Sequence, residues 1–226
     1  MALEQPVCLV LLLTAMILAC NGSNPRSGWL LLSVGFYLTN GILLVIPQLF
    51  PGLHVGHWNW TGKFLGILGS LCWIRLTGLS YEEVGLQLPR GSRGWIISIL
   101  GILLMAACST WERLVAGAQP YGTEMFVFQA TMPGLDEELA YRGILFALLL
   151  RGFTSKLGQG LSAAVVVIMF WLAHVVSIEA GAFHITTLKP DVLLASVLFM
   201  GLRLLTGSVF VTIAAHNIDN VANIVG

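Results

Sequence analysis

The sequence has little charge. Of its 226 residues, 10% are charged and 57% are hydrophobic, and the mean hydropathy is +0.86. A typical soluble domain is about 25% charged, and disordered, collagen-like and coiled-coil chains need polar or repetitive sequences, so all of these classes are excluded. Lysine and arginine together number 11, as do aspartate and glutamate, which leaves no basic excess to bind nucleic acid through its phosphates. The composition predicts an all-α polytopic membrane protein.

Several catalytic and binding motifs are also missing. The sequence contains no His-Glu-x-x-His, no Gly-x-Ser-x-Gly and no Gly-Asp pair, which argues against the familiar zinc, serine and aspartyl membrane proteases. No Gly-Lys-Ser/Thr loop is present, so no nucleotide is expected. The four cysteines are dispersed along apolar runs without a Cys-x-x-Cys pair, and we interpret them as small packing residues; they are Cys8, Cys20, Cys72 and Cys108.

Eight apolar runs approach the roughly 20 residues that a helix needs to cross a bilayer. The first, fourth and seventh are short, so seven or nine spans remain alternatives, and the last two nearly touch, which predicts a tight hairpin. The only early charge is Glu4, and the first run lacks the basic segment of a signal peptide, so we expect it to stay uncleaved. The runs are Leu3–Cys20, Gly28–Phe50, Gly62–Leu79, Trp95–Trp111, Thr123–Leu150, Gly160–Val176, Pro190–Leu205 and Gly207–Val225.

The loop charges predict an orientation, because cytoplasmic loops are enriched in lysine and arginine. Loops after even-numbered runs carry Lys63, Arg113 and Lys189. Loops after odd-numbered runs carry more, and they are therefore expected in the cytoplasm, with both termini outside; their charges are Arg26, Arg90, Arg93, Arg151 and Lys156. With no internal repeat or linker, residues 1–226 should form one multi-pass domain, and the small size fits a prokaryotic inner membrane.

Three clusters of polar residues interrupt the apolar runs of the C-terminal half. They are Asp136-Glu137-Glu138-Leu139-Ala140-Tyr141-Arg142, Phe170-Trp171-Leu172-Ala173-His174 and His216-Asn217-Ile218-Asp219-Asn220. Ionisable groups inside a membrane span are costly and indicate a functional site. Polar groups that only hold helices together, or a proton-coupled transporter, are the alternatives.

Helical geometry sorts these residues. Glu138 and Arg142 are four residues apart and can pair on one helix face, whereas Glu137 lies about 100° away round the helix. Glu137 and His174 each lie about 21 Å from the loop that joins their antiparallel helices, at 1.5 Å per residue. Asn220 lies at a similar depth beyond Gly207, with His216 one turn shallower, so these groups are expected to converge.

Such a set of groups suits hydrolysis. A carboxylate beside an imidazole can hold and deprotonate a water molecule, and a second imidazole with an amide can donate hydrogen bonds to a developing oxyanion. No serine or cysteine lies in the clusters as a nucleophile, so attack by water on an acyl or peptide bond fits better than an acyl-enzyme.

The three clusters resemble, in spacing and in order, the motifs of the CPBP family, the CAAX-prenyl-protease and bacteriocin-processing intramembrane endopeptidases, also called Abi proteins. The motifs are Glu137-Glu138-x-x-x-Arg142, Phe170-x-x-x-His174 and His216-x-x-x-Asn220. Gly85-Leu86-Gln87-Leu88-Pro89 also resembles an element that precedes the family's core, so the resemblance covers residues 81–226 and leaves residues 1–80 as additional N-terminal helices.

The resemblance implies roles for these residues. Glu137 would be the general base, His174 would help to position water, and His216 with Asn220 would form the oxyanion hole, while Glu138 and Arg142 would support the site. No cofactor is expected, although zinc held by Glu137, His174 and His216 is an alternative, since a catalytic zinc typically has three protein ligands.

The expected partner is a membrane-anchored protein or peptide substrate within the lipid bilayer. Processing of a C-terminal tag or of a prenylated tail fits the family, and the orientation mildly favours exported substrates. A noncatalytic membrane-binding or immunity protein of the same fold is the alternative function. The departure from the motif, with additional polar Asn217 and Asp219, either tunes the site or caps a helix.

Overall fold

The computed structural model describes residues 4–20, 26–117, 121–153, 155, 157–179, 182–185 and 187–225. These residues are almost entirely helical, which confirms the all-α prediction. The elements, in chain order, are α1 Glu4–Cys20, α2 Ser27–Leu49, a 3₁₀ turn Pro51–Leu53, α3 Trp60–Thr77, α4 Tyr81–Val84, α5 Gly91–Ala116, α6 Thr123–Gln129, a π-helix Gly134–Leu145, α7 Phe146–Gly152, α8 Gly158–Val175, β1 Val176–Glu179, β2 Ala182–Ile185, α9 Pro190–Thr206 and α10 Val209–Val225.

By length and composition, three helical segments in the described part of the chain could cross a membrane. They are Gly28–Leu49, Gly91–Val115 and Gly158–Val175, and Glu4–Ala19 is a shorter apolar helix. The apolar helices agree with a membrane protein, and the count of eight spans stays a prediction. The fourth run, expected to be short, belongs to the 26-residue α5, whereas Leu3 of the first run and Lys156 lie outside the described residues.

The prediction of one continuous fifth span, Thr123–Leu150, is wrong. Helix α6 ends at Gln129, and the chain turns at Ala130 and Thr131 before it becomes helical again. The reason is Pro133, which has no N–H to donate back to the preceding turn. The π-helix then begins at Gly134, and its i→i+5 hydrogen bonds turn the chain less per residue than an α-helix would.

The tight hairpin expected between the last two runs is confirmed. Helix α9 ends at Thr206, Gly207 adopts a left-handed conformation with φ 70°, and α10 begins at Val209. Glycine adopts this conformation without the steric cost that a Cβ would bring. The sequence did not predict the antiparallel hairpin of β1 and β2, which follows α8 and pairs Val176 with Ile185.

Helix α3 packs close to its neighbours through a stripe of small residues. Gly62, Gly66 and Ser70 are buried one turn apart on the same face, the spacing by which small side chains let helix backbones approach. A Cβ at Gly66 would collide with Oδ1 of Asp136 on the π-helix. Asn59 anchors the start of α3, since its Oδ1 accepts a hydrogen bond from the Gly62 N–H and its Nδ2 donates to the Leu44 carbonyl of α2. The start of α3 is therefore fixed beside the polar part of the π-helix.

The main apolar core surrounds the C-terminal half of the π-helix and α7. Ile144, Leu145, Leu148 and Leu149 are fully buried there, and they pack with apolar residues of α1, α2 and α8. The second half of the π-helix is thus enclosed by apolar side chains. Its first half carries the carboxylates and lies next to the cavities described below.

Candidate active site

Glu137 lies on the π-helix and lines a cavity of about 230 Å³ between α1, α2, α3 and α8. Its Oε1 accepts a hydrogen bond of 2.7 Å from Lys63 Nζ, which also donates to Asp136 Oδ2 at 3.0 Å. We call these three side chains the lysine cluster. Glu137 Oε2 is buried and has no hydrogen-bond partner among the described residues, so it is the oxygen left for a ligand.

His174, at the end of α8, faces this oxygen. Its Nδ1 lies 2.8 Å from the Phe170 carbonyl oxygen, and because a carbonyl only accepts, Nδ1 must carry a proton. The neutral ring then has a lone pair at Nε2, which lies 3.8 Å from Glu137 Oε2. This separation is too long for a direct hydrogen bond, and two acceptors that face each other need a donor such as water between them.

The adjacent residue, Glu138, belongs to a separate group. Its Oε1 accepts hydrogen bonds from Arg142 Nη1 at 2.9 Å and from His216 Nδ1 at 2.8 Å. We call Glu138, Arg142 and His216 the arginine cluster; the ion pair predicted from the i,i+4 spacing is present, with both side chains 0% exposed. Ser196 on α9 accepts a further hydrogen bond from Arg142 Nη2 at 2.8 Å. Burial with several partners is the pattern of a structural ion pair.

Aromatic rings pack against the arginine cluster and His174. The Phe170 ring lies 4.1 Å from the Arg142 guanidinium carbon and 4.6 Å from the His174 ring centre, and the His216 ring stacks on Phe199 at 5.0 Å. The cation–π contact compensates part of the desolvation of the arginine. The phenylalanine of the second motif therefore holds the arginine on one side and the imidazole on the other.

The third motif lines a second cavity of about 170 Å³. His216 and Asn220 on α10 line it, and His174 lines both cavities. Glu137 lines the first cavity and not the second, so the structure places the predicted base and the predicted oxyanion donors on two sides of His174. Of the groups that were expected to converge, Glu137 lies beside His174. His216 contacts Glu138 instead of Glu137.

The additional polar residues of the third motif have separate contacts. The Asn217 side-chain oxygen accepts a hydrogen bond of 2.9 Å from the Gly134 N–H, which caps the start of the π-helix. Asp219 accepts a hydrogen bond from Ser109 of α5. Of the two readings left open for these residues, capping a helix describes Asn217.

Sequence reasoning did not identify Lys63 as a site residue, because it counted only as a loop charge. A signal was nevertheless available: Lys63 is a single cation in the first turn of an apolar helix, and a buried cation requires a counter-charge. Tyr37 and Tyr141, whose hydroxyls lie 2.9 Å apart beside the first cavity, were also missed. Nothing in the sequence shows that α2 packs against the π-helix.

The arrangement of the donor side chains bears on the zinc alternative. In the described ranges, no three His, Cys, Asp or Glu side chains surround a common point in a way that could hold a metal ion. Lys63 occupies Oε1 of Glu137, and Glu138 occupies Nδ1 of His216. The three residues named for zinc, Glu137, His174 and His216, thus do not form a ligand set in this arrangement.

The C-terminal half of the chain is similar to a known family. Residues 120–222 match the model of the Rce1-like family, described as type II CAAX prenyl endopeptidase Rce1-like. The match covers a little under half of the chain and includes all three motifs, while residues 81–119 and 223–226 of the expected resemblance lie outside it. No curated protein and no solved structure matches the chain. Residues 120–222 are thus similar to the Rce1-like family, which is consistent with the CAAX-type protease family that the three motifs resemble.

Proposed function

We propose that this protein is a multi-pass intramembrane endopeptidase that hydrolyses a peptide bond of a membrane-anchored protein or peptide with water activated by Glu137 and His174. The family supports a CAAX-type endopeptidase in general. The observation that carries the mechanism is the pair of facing acceptors, Glu137 Oε2 and His174 Nε2, 3.8 Å apart at the wall of a cavity. A water molecule between them would donate one proton to each and keep its lone pairs free for attack.

In the proposed reaction, Glu137 accepts a proton and later gives it up, so the carboxylate is regenerated. Glu137 takes a proton from water as the water oxygen bonds to the carbonyl carbon, and a tetrahedral oxyanion forms. The carbon–nitrogen bond then breaks, the leaving amine takes the proton from Glu137, and the other product is a carboxylic acid. His174, fixed by the Phe170 carbonyl, orients the water throughout. No metal takes part in this scheme.

The oxyanion would be stabilised from the second cavity by Asn220 and His216. The Asn220 amide can donate a hydrogen bond in any protonation state. His216 already uses Nδ1 toward Glu138, so Nε2 can donate only when the ring carries both protons. The carboxylate of Glu138 is the partner that such a cation needs, which gives the arginine cluster an indirect part in the reaction.

Two quenched fluorescent peptides in detergent micelles test the proposal, one with a farnesylated Cys-a-a-X tail and one with a single apolar transmembrane segment. Glu137→Gln keeps size and should lower cleavage to near background, since removal of a general base costs about 10²–10⁴-fold. His174→Ala should do the same. Both variants should still bind the peptides, because binding depends on the walls of the cavity.

The matched control is Glu82→Gln, which makes the same change at an exposed carboxylate that pairs with Arg90 on the surface. This variant should cleave at the native rate. Cleavage at the native rate by Glu137→Gln would end the glutamate-base mechanism. A native protein that binds both peptides and cleaves neither would instead support a noncatalytic binding or immunity protein.

The oxyanion assignment predicts a smaller loss. Asn220→Ala removes one hydrogen-bond donor, which typically costs about 10²–10³-fold in turnover, so a measurable rate should remain in the same peptide assay. Asn223→Ala, on the next turn of α10 at the same cavity, serves as the comparison. Equal losses from the two variants would contradict the assignment of Asn220.

A further inference from the structure

We infer that Lys63 is a positioning residue for Glu137: it holds Oε1 and thereby turns Oε2 toward His174. The inference rests on the proposed function, since it takes Glu137 as the base. Lys63 lies outside residues 120–222, so the family match does not account for it. Its ammonium group donates to Glu137 and Asp136, and its side chain is 12% exposed.

Lys63 does not stabilise its own helix. It is the fourth residue of α3, and a cation in the first turn opposes the helix dipole, which favours negative charge at that end. Burial of an ammonium group is a further cost unless the charge is paired. The role of this lysine is therefore its contact with the two carboxylates of the π-helix, Asp136 and Glu137. Asn59 and Gly66 bring α3 close enough for that contact.

Two contacts give the ammonium its effect on orientation. A carboxylate that is held at one oxygen has little freedom to rotate, so the 2.7 Å hydrogen bond at Oε1 fixes the direction of Oε2. Asp136 shares the same ammonium at 3.0 Å and offsets its charge. The formal charges of the three groups sum to −1, which leaves Glu137 a carboxylate with one oxygen bound and the other directed at His174 Nε2.

Four variants separate positioning from simple charge balance. Lys63→Met removes the ammonium group, and Lys63→Arg keeps a cation. Asp136→Asn removes the shared carboxylate, and the double variant Lys63→Met/Asp136→Asn restores the net charge of −1 without any cation on Glu137. Each is purified in detergent, scored for monodisperse yield, and assayed for kcat and KM with the peptide that the native protein cleaves.

Lys63→Met should lower kcat by about 10²-fold with KM unchanged, the size of loss typical of a misplaced catalytic group. Lys63→Arg should recover part of kcat. The double variant should recover yield relative to Lys63→Met, while its kcat stays about 10²-fold below that of Asp136→Asn. This comparison holds even if Lys63→Met alone fails to fold.

The inference would be overturned if the double variant reached the kcat of Asp136→Asn, because Lys63 would then only neutralise Asp136. A native kcat in Lys63→Met would overturn it as well. Failure of the proposed function is distinguishable, since it would appear as full cleavage by Glu137→Gln. Loss of cleavage in Glu137→Gln, together with a native kcat in Lys63→Met and a double-variant kcat equal to that of Asp136→Asn, removes only the positioning role.

Discussion

The lysine cluster and the arginine cluster start from neighbouring carboxylates on one π-helix, yet they differ in their surroundings. Glu137 lines a cavity beside His174, and its cation comes from another helix, α3. Glu138 is 0% exposed and lines neither cavity, and its cation, Arg142, is one turn away on the same helix. Residue type alone therefore does not decide the role; the side chain's access to a cavity does.

The comparison also separates two ways of holding a buried charge. Arg142 is enclosed by Glu138, Ser196 and the ring of Phe170. Among the described residues, the Lys63 ammonium group donates hydrogen bonds to carboxylates only. A planar guanidinium suits several fixed partners, and a compact ammonium suits a point contact that can be shared. We expect the arginine cluster to matter mainly for folding and the lysine cluster mainly for chemistry.

The largest effect on stability should come from Arg142→Ala. Removal of one partner of a buried ion pair typically costs about 3–5 kcal/mol, so the yield of folded protein in detergent should fall well below that of Glu137→Gln. Arg90→Ala, at an arginine whose side chain is 74% exposed, is the matched control and should keep its yield. Equal yields from Arg142→Ala and Glu137→Gln would remove the distinction between the two clusters.

An intermediate effect is expected from Gly66→Ala. The added Cβ would collide with Asp136 and force α3 away from the π-helix, and overpacking of this kind typically costs about 1–3 kcal/mol. Peptide cleavage should fall with the lysine cluster displaced. Gly201→Ala adds the same methyl group where no atom lies within 4 Å. Native cleavage and melting temperature in Gly66→Ala would show that the close approach of α3 is not needed.

The smallest effect should come from the ion pair of Glu83 with Arg151, at the ends of the helices. The Arg151 guanidinium lowers the pKa of the Glu83 carboxyl from 4.5 to about 2. Because the folded pKa is depressed, this stabilisation is present above about pH 4.5 and is lost as the pH falls toward 2. Glu83 is 38% exposed, so solvent screening keeps the contribution below about 1 kcal/mol.

Thermal unfolding of the native protein and of Glu83→Gln, measured from pH 7 to pH 3, checks the sign. The difference in melting temperature should shrink as the pH falls. A difference that grows at low pH would contradict the depressed pKa.

The sequence predicted contacts that depend on spacing within one helix or across one loop. The Glu138–Arg142 pair follows from an i,i+4 spacing, and the approach of His174 to Glu137 follows from equal distances to the loop between their helices. Lys63 could not be predicted, because its contact depends on which helices pack together. The assignment of catalytic roles stays a prediction.

Local hydrogen bonding was the other feature that the sequence did not reveal. The break at Ala130 and Thr131 has a visible cause in Pro133, but the π-helix that follows begins at a tertiary contact, the hydrogen bond from the Gly134 N–H to Asn217. The positions of Glu137 and Glu138 relative to α10 depend on that segment. The assumption of an ideal α-helix correctly predicted the pair of Glu138 with Arg142. It did not predict His216, the second partner of Glu138.

The wall of the first cavity combines residues outside and inside the family match. Gln5, Pro6 and Leu9 of α1 and Asn40 and Leu44 of α2 form one side, and Glu137 and His174, the proposed hydrolytic groups, come from residues within the family match. Substitutions in the first two helices would therefore change the shape of the cavity beside Glu137 and leave Glu137 and His174 themselves unchanged. Under the proposed function, replacing these two helices would change which peptides fit and leave Glu137 and His174 in place.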